Sequence, residues 1–133
     1  MFTLHPTLKK DTVQIIRLEI CRVLLMRDKT YPWLVLVPAK EGLRDLDDLN
    51  EADRIQVIAE VDRVSKAMKH IYSPYKMNVA ALGNMVEQLH IHVVARSKND
   101  PAWPAPVWGV APAVDYDDNA RTQTIANLHG QLV

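Results

Sequence analysis

Polar and apolar residues alternate with period two through Gln88-Leu89-His90-Ile91-His92-Val93-Val94-Ala95-Arg96, the pattern of a half-buried β-strand. Leu89, Ile91 and Val93 fall on one face, and Gln88, His90 and His92 on the other. Upstream, residues 13–26 are mostly β-branched and aliphatic and predict strand in two parts, residues 13–19 and 21–26. Residues 27–32 read as a turn, and residues 33–37 as a buried strand closed by Pro38, which completes a hairpin. A different period takes over after Asn50, the expected N-cap, with Glu51 and Asp53 in the first turn. Val57, Val61, Val64, Met68, Ile71 and Tyr72 recur at helical spacing and form one core-facing stripe, which Pro74 stops near Ser73. Residues 76–81 and 88–96 then predict two strands joined by a turn around Gly83-Asn84, and residues 118–128 a short terminal helix.

Strands before and after one long helix predict an α+β fold, with an antiparallel sheet and the helix packed on one face. The histidine side of residues 88–92 then becomes the ligand-facing side. A chain of 133 residues is expected to form one domain around one core. Sixteen basic and sixteen acidic side chains cancel, so no global field draws the protein to nucleic acid or to a membrane. The single cysteine, Cys21, excludes an intramolecular disulfide and is expected in the core. MFTLHPTLKKD lacks the apolar run of a signal peptide, which makes the cytoplasm the default location. It reads as a loose tail that includes His5, and His70 and His129 read as surface residues. Asp45, Asp47 and Asp48 are expected to form a solvated capping region, and Trp103 and Trp108 to cover the core.

Two imidazoles at i and i+2 stand about 7 Å apart along a strand, close enough for one bound anion to touch both. Arg96 and Lys98 follow and suit an anion. A zinc ion could also use the pair, but it needs further ligands, and no cysteine or carboxylate adjoins.

The same run resembles the signature of the histidine triad (HIT) superfamily, His-x-His-x-His-x-x, with Gln88 in place of the first histidine. Asn78-Val79-Ala80-Ala81-Leu82-Gly83-Asn84 is similar to the family's Asn…Gly-Gln stretch. Trp33-Leu34-Val35-Leu36-Val37-Pro38 is similar to its apolar strand, and Ala102-Trp103-Pro104 to its tryptophan-proline element. The likeness covers residues 21–109. It implies the α+β architecture, a homodimer, and a nucleotide substrate, expected to be a purine nucleotide, attacked at its α-phosphate through a covalent nucleotidyl-histidine. No cofactor is implied. By position His90 is the nucleophile, His92 a phosphate-binding partner, and Asn78 and Asn84 polar ligands for the phosphate or leaving group, while Asp28 is a candidate for the ribose hydroxyls.

Two departures bear on this. Gln88 can donate and accept hydrogen bonds, and its carbonyl can orient His90, but it carries no proton or charge. Trp33 stands where some family members have another active-site histidine. A nucleotide hydrolase or nucleotidyltransferase is therefore weighed against a nucleotide-binding module with little turnover. A metal-dependent enzyme on an unrelated β scaffold is the third reading.

Overall fold

The computed structural model describes residues 1–133. Its elements run α1 (Pro6–Asp11), β1 (Thr12–Arg17), β2 (Cys21–Met26), β3 (Trp33–Pro38), a single 3-10 turn (Leu46–Asp48), α2 (Glu51–Tyr72), β4 (Lys76–Ala80), β5 (Ile91–Arg96) and α3 (Asp118–Leu132). The five strands form one antiparallel sheet in the order β1-β2-β3-β5-β4. This is the predicted α+β arrangement.

Local chemistry sets the long helix as the sequence suggests. Asn50 accepts a hydrogen bond from the Asp53 amide, and Ser73 ends α2 in the left-handed region at φ 46°. Val57, Val64 and Met68 are fully buried. They pack, with Leu128 and Leu132 of α3, against Val23, Leu25, Leu34, Leu36, Ile91 and Val93. Cys21 belongs to this core, and burial pushes its thiol upward. The terminal helix reaches Leu132, a turn beyond the expected residue 128, because Leu132 adds a further apolar contact to the same face.

The second face differs from expectation. Every residue of β3 and β5 is buried, so the histidine strand is covered on both sides rather than half-exposed. Leu8 of α1, Tyr31, Val86, Ala102 and Val107 close over Leu24, Trp33, Val35, Val37 and Val94. The N-terminal stretch is no loose tail. Pro6 starts α1 where its missing N–H costs nothing, and the His5 Nδ1 accepts from the Thr7 amide at 3.1 Å. The sheet ladder of β5 begins at Ile91, three residues after Gln88, since the Leu89 amide donates to the Leu43 carbonyl instead.

Two buried polar nodes brace these layers. Glu60 of α2 is 3% exposed and accepts from the main-chain amides of Ile20 and Cys21 and from Gln56 Nε2. Arg96, 1% exposed, donates to both oxygens of Asp100, to Asn78 Oδ1 and to the Ala105 carbonyl. Asp100 in turn accepts from the amides of Ser97, Ala102 and Trp103. The loop after β5 is thereby pinned to the sheet.

Glu60→Ala should leave two buried main-chain donors without an acceptor and lower stability by about 2–4 kcal/mol. Urea unfolding of the purified variant measures this, and a loss below the error of the extrapolation would count against the node.

Candidate functional site

His90 immediately precedes β5 and His92 is its second residue, and both are nearly fully buried. Their ring centroids are 4.9 Å apart, with planes at 72°. Each ring has one nitrogen already committed. His90 Nδ1 is 2.6 Å from the Gln88 carbonyl, which can only accept, so a neutral His90 carries its proton on Nδ1 and has its lone pair on Nε2. His92 Nδ1 is 3.0 Å from the indole Nε1 of Trp33, which can only donate, so a neutral His92 carries its proton on Nε2. The two rings thus hold opposite tautomers: one free nitrogen is a nucleophile or base, the other a donor.

The walls around His92 explain its electrostatics. Trp108 stands edge-on at 5.0 Å and Trp33 tilted at 5.7 Å, and the two indoles meet each other at 5.8 Å. Burial pushes the His92 imidazole down to about 4, and His90 adds to the shift. The Trp33 N–H also occupies the place a second ring proton would need. His92 is therefore neutral around pH 7.

The pair opens into a cavity of about 350 Å³, lined by Thr7, Leu8 and Asp11 of α1, Met26, residues 82–86 and Trp108. That volume is within the range of small-molecule sites, roughly 300–1,000 Å³. Gly83 turns the 82–86 wall at φ 82°, and a Cβ there would come within 3.2 Å of the Val86 carbonyl. A smaller recess of about 140 Å³ shares Leu82, Gly83 and His90 and adds Arg44, Asp45 and Gln88. No lysine or arginine lines the larger cavity. No group of three or more His, Cys, Asp or Glu side chains is placed to hold a metal ion.

Of the residues singled out by sequence, His90, His92 and Asn84 line one cavity. Gln88 does not turn its amide toward the histidines: its Oε1 accepts from the His5 amide at 2.8 Å and its Nε2 donates to the Thr3 carbonyl at 2.9 Å. Asn78, opposite Val94 in the β4–β5 ladder, is taken up by Arg96. Asp28 is 4% exposed and accepts from the Thr30 and Val114 amides, so it braces a loop outside the cavity. Arg96 is consumed by Asp100, Asn78 and Ala105, and the Lys98 ammonium lies over the Tyr75 ring at 4.3 Å. Neither cation faces the histidines, contrary to the expectation drawn from their place in sequence.

Trp108 packs against the second apolar cluster, as expected, and also forms part of the cavity wall. Leu8, Asp11, Met26 and Met85 carry no motif that marks them. The one available signal was His5-Pro6, a helix start in a segment too short to show a period.

An antiparallel sheet whose inner strand β5 carries one imidazole, with a second just before it, defines a histidine-motif α+β protein. The model of one family, described as the HIT domain, matches residues 7–99, and the chain belongs to that histidine triad family. It is similar throughout to solved histidine triad proteins. The one from Bradyrhizobium japonicum is 42% identical, with a TM-score of 0.97 over 99% of this chain and 98% of that one. The one from Marinobacter aquaeolei VT8 is 42% identical, with a TM-score of 0.97 over 99% and 96%. The one from Sinorhizobium meliloti 1021 is 36% identical, with a TM-score of 0.96 over 98% and 97%. Among curated proteins none matches. No helix is long and apolar enough to cross a membrane.

The His92 shift makes a signed prediction. The unfolded chain takes up this proton near pH 6.5 and the folded protein only near 4. Its contribution is therefore fully present above about pH 6.5 and is lost as pH falls toward 4, by up to about 3 kcal/mol. Urea unfolding at about pH 7 and about pH 4.5 should show this slope in wild type and lose it in His92→Gln. Trp33→Phe should admit the Nδ1–H tautomer of His92, visible in its ¹⁵N ring shifts. Unchanged ring shifts in that variant would refute the assignment.

Proposed function

We propose that this protein is a nucleotide hydrolase or nucleotidyltransferase that acts at the α-phosphate through a covalent nucleotidyl-histidine on His90. The single observation that carries the reading is the pair of opposite ring protons. Phosphoryl transfer needs a free lone pair on one side and a donor for the phosphoryl oxygens on the other. The free nitrogen of His90 attacks phosphorus in line, and the bond to the leaving group breaks with its electron pair. His92 Nε2–H meets a phosphoryl oxygen, and the Gln88 carbonyl holds the proton on the charged His90 ring. Water, or another acceptor, then attacks phosphorus, the P–N bond breaks, and His90 is restored.

The walls support a nucleoside rather than a bare phosphate. Leu8, Met26, Met85 and Trp108 offer a flat base apolar contact, and Thr7, Asn84 and Asp11 offer partners to its polar groups. A purine nucleotide with a leaving group on its α-phosphate fits, either a nucleoside phosphoramidate or a dinucleoside polyphosphate. We include the homodimer implied by the family in this reading.

A second reading has its own support. The cavity wall carries no cation, and the Gln88 amide is occupied by the N-terminal segment. Weak stabilisation of transition-state charge would leave a nucleotide-binding module with little turnover.

Intact-mass measurement after mixing with both nucleotide classes separates the two. The enzyme gains the mass of one nucleotidyl group, and His90→Ala gains none, because no other group is placed to form the P–N bond. His92→Ala should still form adduct, about a hundredfold to a thousandfold more slowly, if its N–H acts as an oxyanion donor worth about 3–4 kcal/mol. Equal adduct in wild type and His90→Ala would remove His90 from the mechanism. Nucleotide binding with neither adduct nor turnover would establish the binding module.

A further inference from the structure

Gln88 stands where the family pattern has its first histidine, yet both ends of its amide are committed to the other end of the chain. Its Oε1 takes the His5 N–H and its Nε2 gives to the Thr3 carbonyl, across 83 and 85 residues of sequence. An amide side chain can do this because its donor and acceptor lie side by side on one carbon. The two ring nitrogens of a histidine diverge and cannot clip residues i and i+2 in the same way.

The clip has consequences at the cavity. The His5 carbonyl accepts from the Lys9 amide, and its ring caps the first turn of α1, so the residue that Gln88 holds is the one from which the helix starts. One turn on, Thr7, Leu8 and Asp11 form a wall of the space that contains His90 and His92. Other contacts also hold the segment: the Met1 ammonium pairs with Glu41, the Leu8 carbonyl accepts from the Thr12 hydroxyl, and the Asp11 carbonyl accepts from the Arg27 amide. The Arg22 guanidinium lies over the Phe2 ring at 4.6 Å, Phe2 and Leu4 are partly buried, and Leu8 is the one buried side chain of the helix.

We propose that Gln88 is a positioning residue for the substrate: its side chain fastens the N-terminal segment, so that α1 forms the wall that reads the part of the ligand remote from the reacting phosphorus. The ligand class the wall suits is a nucleoside bearing hydroxyl donors, since the Thr7 hydroxyl and the exposed Asp11 carboxylate flank an apolar Leu8. The inference rests on the reading of the cavity as a nucleotide site. It gives the main chain and side chain of one residue separate tasks, as the Gln88 carbonyl orients His90 while the Gln88 amide orients the wall.

The test uses the full-length protein with Gln88→Ala and Gln88→Glu. Hydrogen exchange should rise over residues 3–11 in Gln88→Ala while the sheet stays protected. KM for a nucleoside phosphoramidate should rise about three- to tenfold, the worth of two partly exposed hydrogen bonds. The adduct rate at saturating nucleotide should change far less, because the carbonyl that holds His90 is main chain. Gln88→Glu, which can accept from His5 but cannot donate to Thr3, should fall between. Lower kcat with unchanged exchange would overturn the proposal and return Gln88 to the reaction itself, and no change in either would overturn it outright. Should Gln88→Ala fail to fold, His5→Pro removes the clipped N–H at a compatible φ of −54°. His5→Ala removes only the ring cap, so the proline variant must then show the larger exchange and KM effect. If wild type forms no adduct, equilibrium dialysis of the nucleotide and the exchange pattern still read the clip, and failure of the catalytic reading is told apart from failure of this one.

Discussion

A neutral imidazole out of reach of water has one ring proton and two ring nitrogens, and the protein has to answer both. At His92 the answer on one side is the Trp33 indole, and most of the second face is arranged to make that answer possible. The β3–β5 ladder sets Val35 opposite His92 and Trp33 opposite Val94, so the indole reaches the imidazole on the diagonal. Trp108 stands edge-on to both rings at the cavity wall. An imidazolium there would be desolvated and would face an N–H donor. A tryptophan in place of a titratable residue therefore keeps His92 as a fixed donor, where a histidine pair would share protons.

The loop that leads to Trp108 is held to the sheet. Arg96 leaves β5 on the same face as His92 and spends its guanidinium on Asp100, Asn78 and Ala105. Asp100, kept below the usual carboxylate range chiefly by its hydrogen bond to Arg96, gathers three main-chain amides of the same loop. A paired buried charge of this kind contributes geometry more than net stability. Here it fixes the path of the chain from the histidine strand to the indole that shields it.

The fold was legible because its main elements obey a single period over many residues. The α2 stripe from Val57 to Met68 and the two arms of the β2–β3 hairpin are of this kind, and the alternation of residues 88–96 put both histidines on one side. What escaped is of another sort. Six residues of α1 cannot show a helical period, and the cap comes from a histidine, outside the usual set of capping residues. Asp28 and Asn78 matched family positions, but sequence order does not say that Val114 and Arg96 will claim them. Arg96 and Lys98 looked free because charge is visible in a sequence and partners are not. Only the local, covalently enforced part of the site, the His90 ring against a carbonyl two residues back, could be derived before the fold was known.

The distribution of charge around His90 follows from these choices. With His92 neutral, Gln88 in a histidine's place and Arg96 locked away, the large cavity would meet a phosphoryl group with dipoles alone, since no lysine or arginine lines it and its one acidic wall residue is Asp11. Dipoles fixed in a buried site need no reorganisation as charge develops and act undiluted by water, so they can stand in for a cation. Arg44 lines the small recess that shares Leu82 and Gly83, and it pairs with Glu87 at 3.5 Å and is largely exposed. His90 borders both spaces. The two spaces are chemically unlike: the larger is walled by Leu8, Met26, Met85 and Trp108 with Asp11, and the smaller adds Arg44 and Asp45. That contrast comes from the N-terminal helix on one side and the loop before α2 on the other.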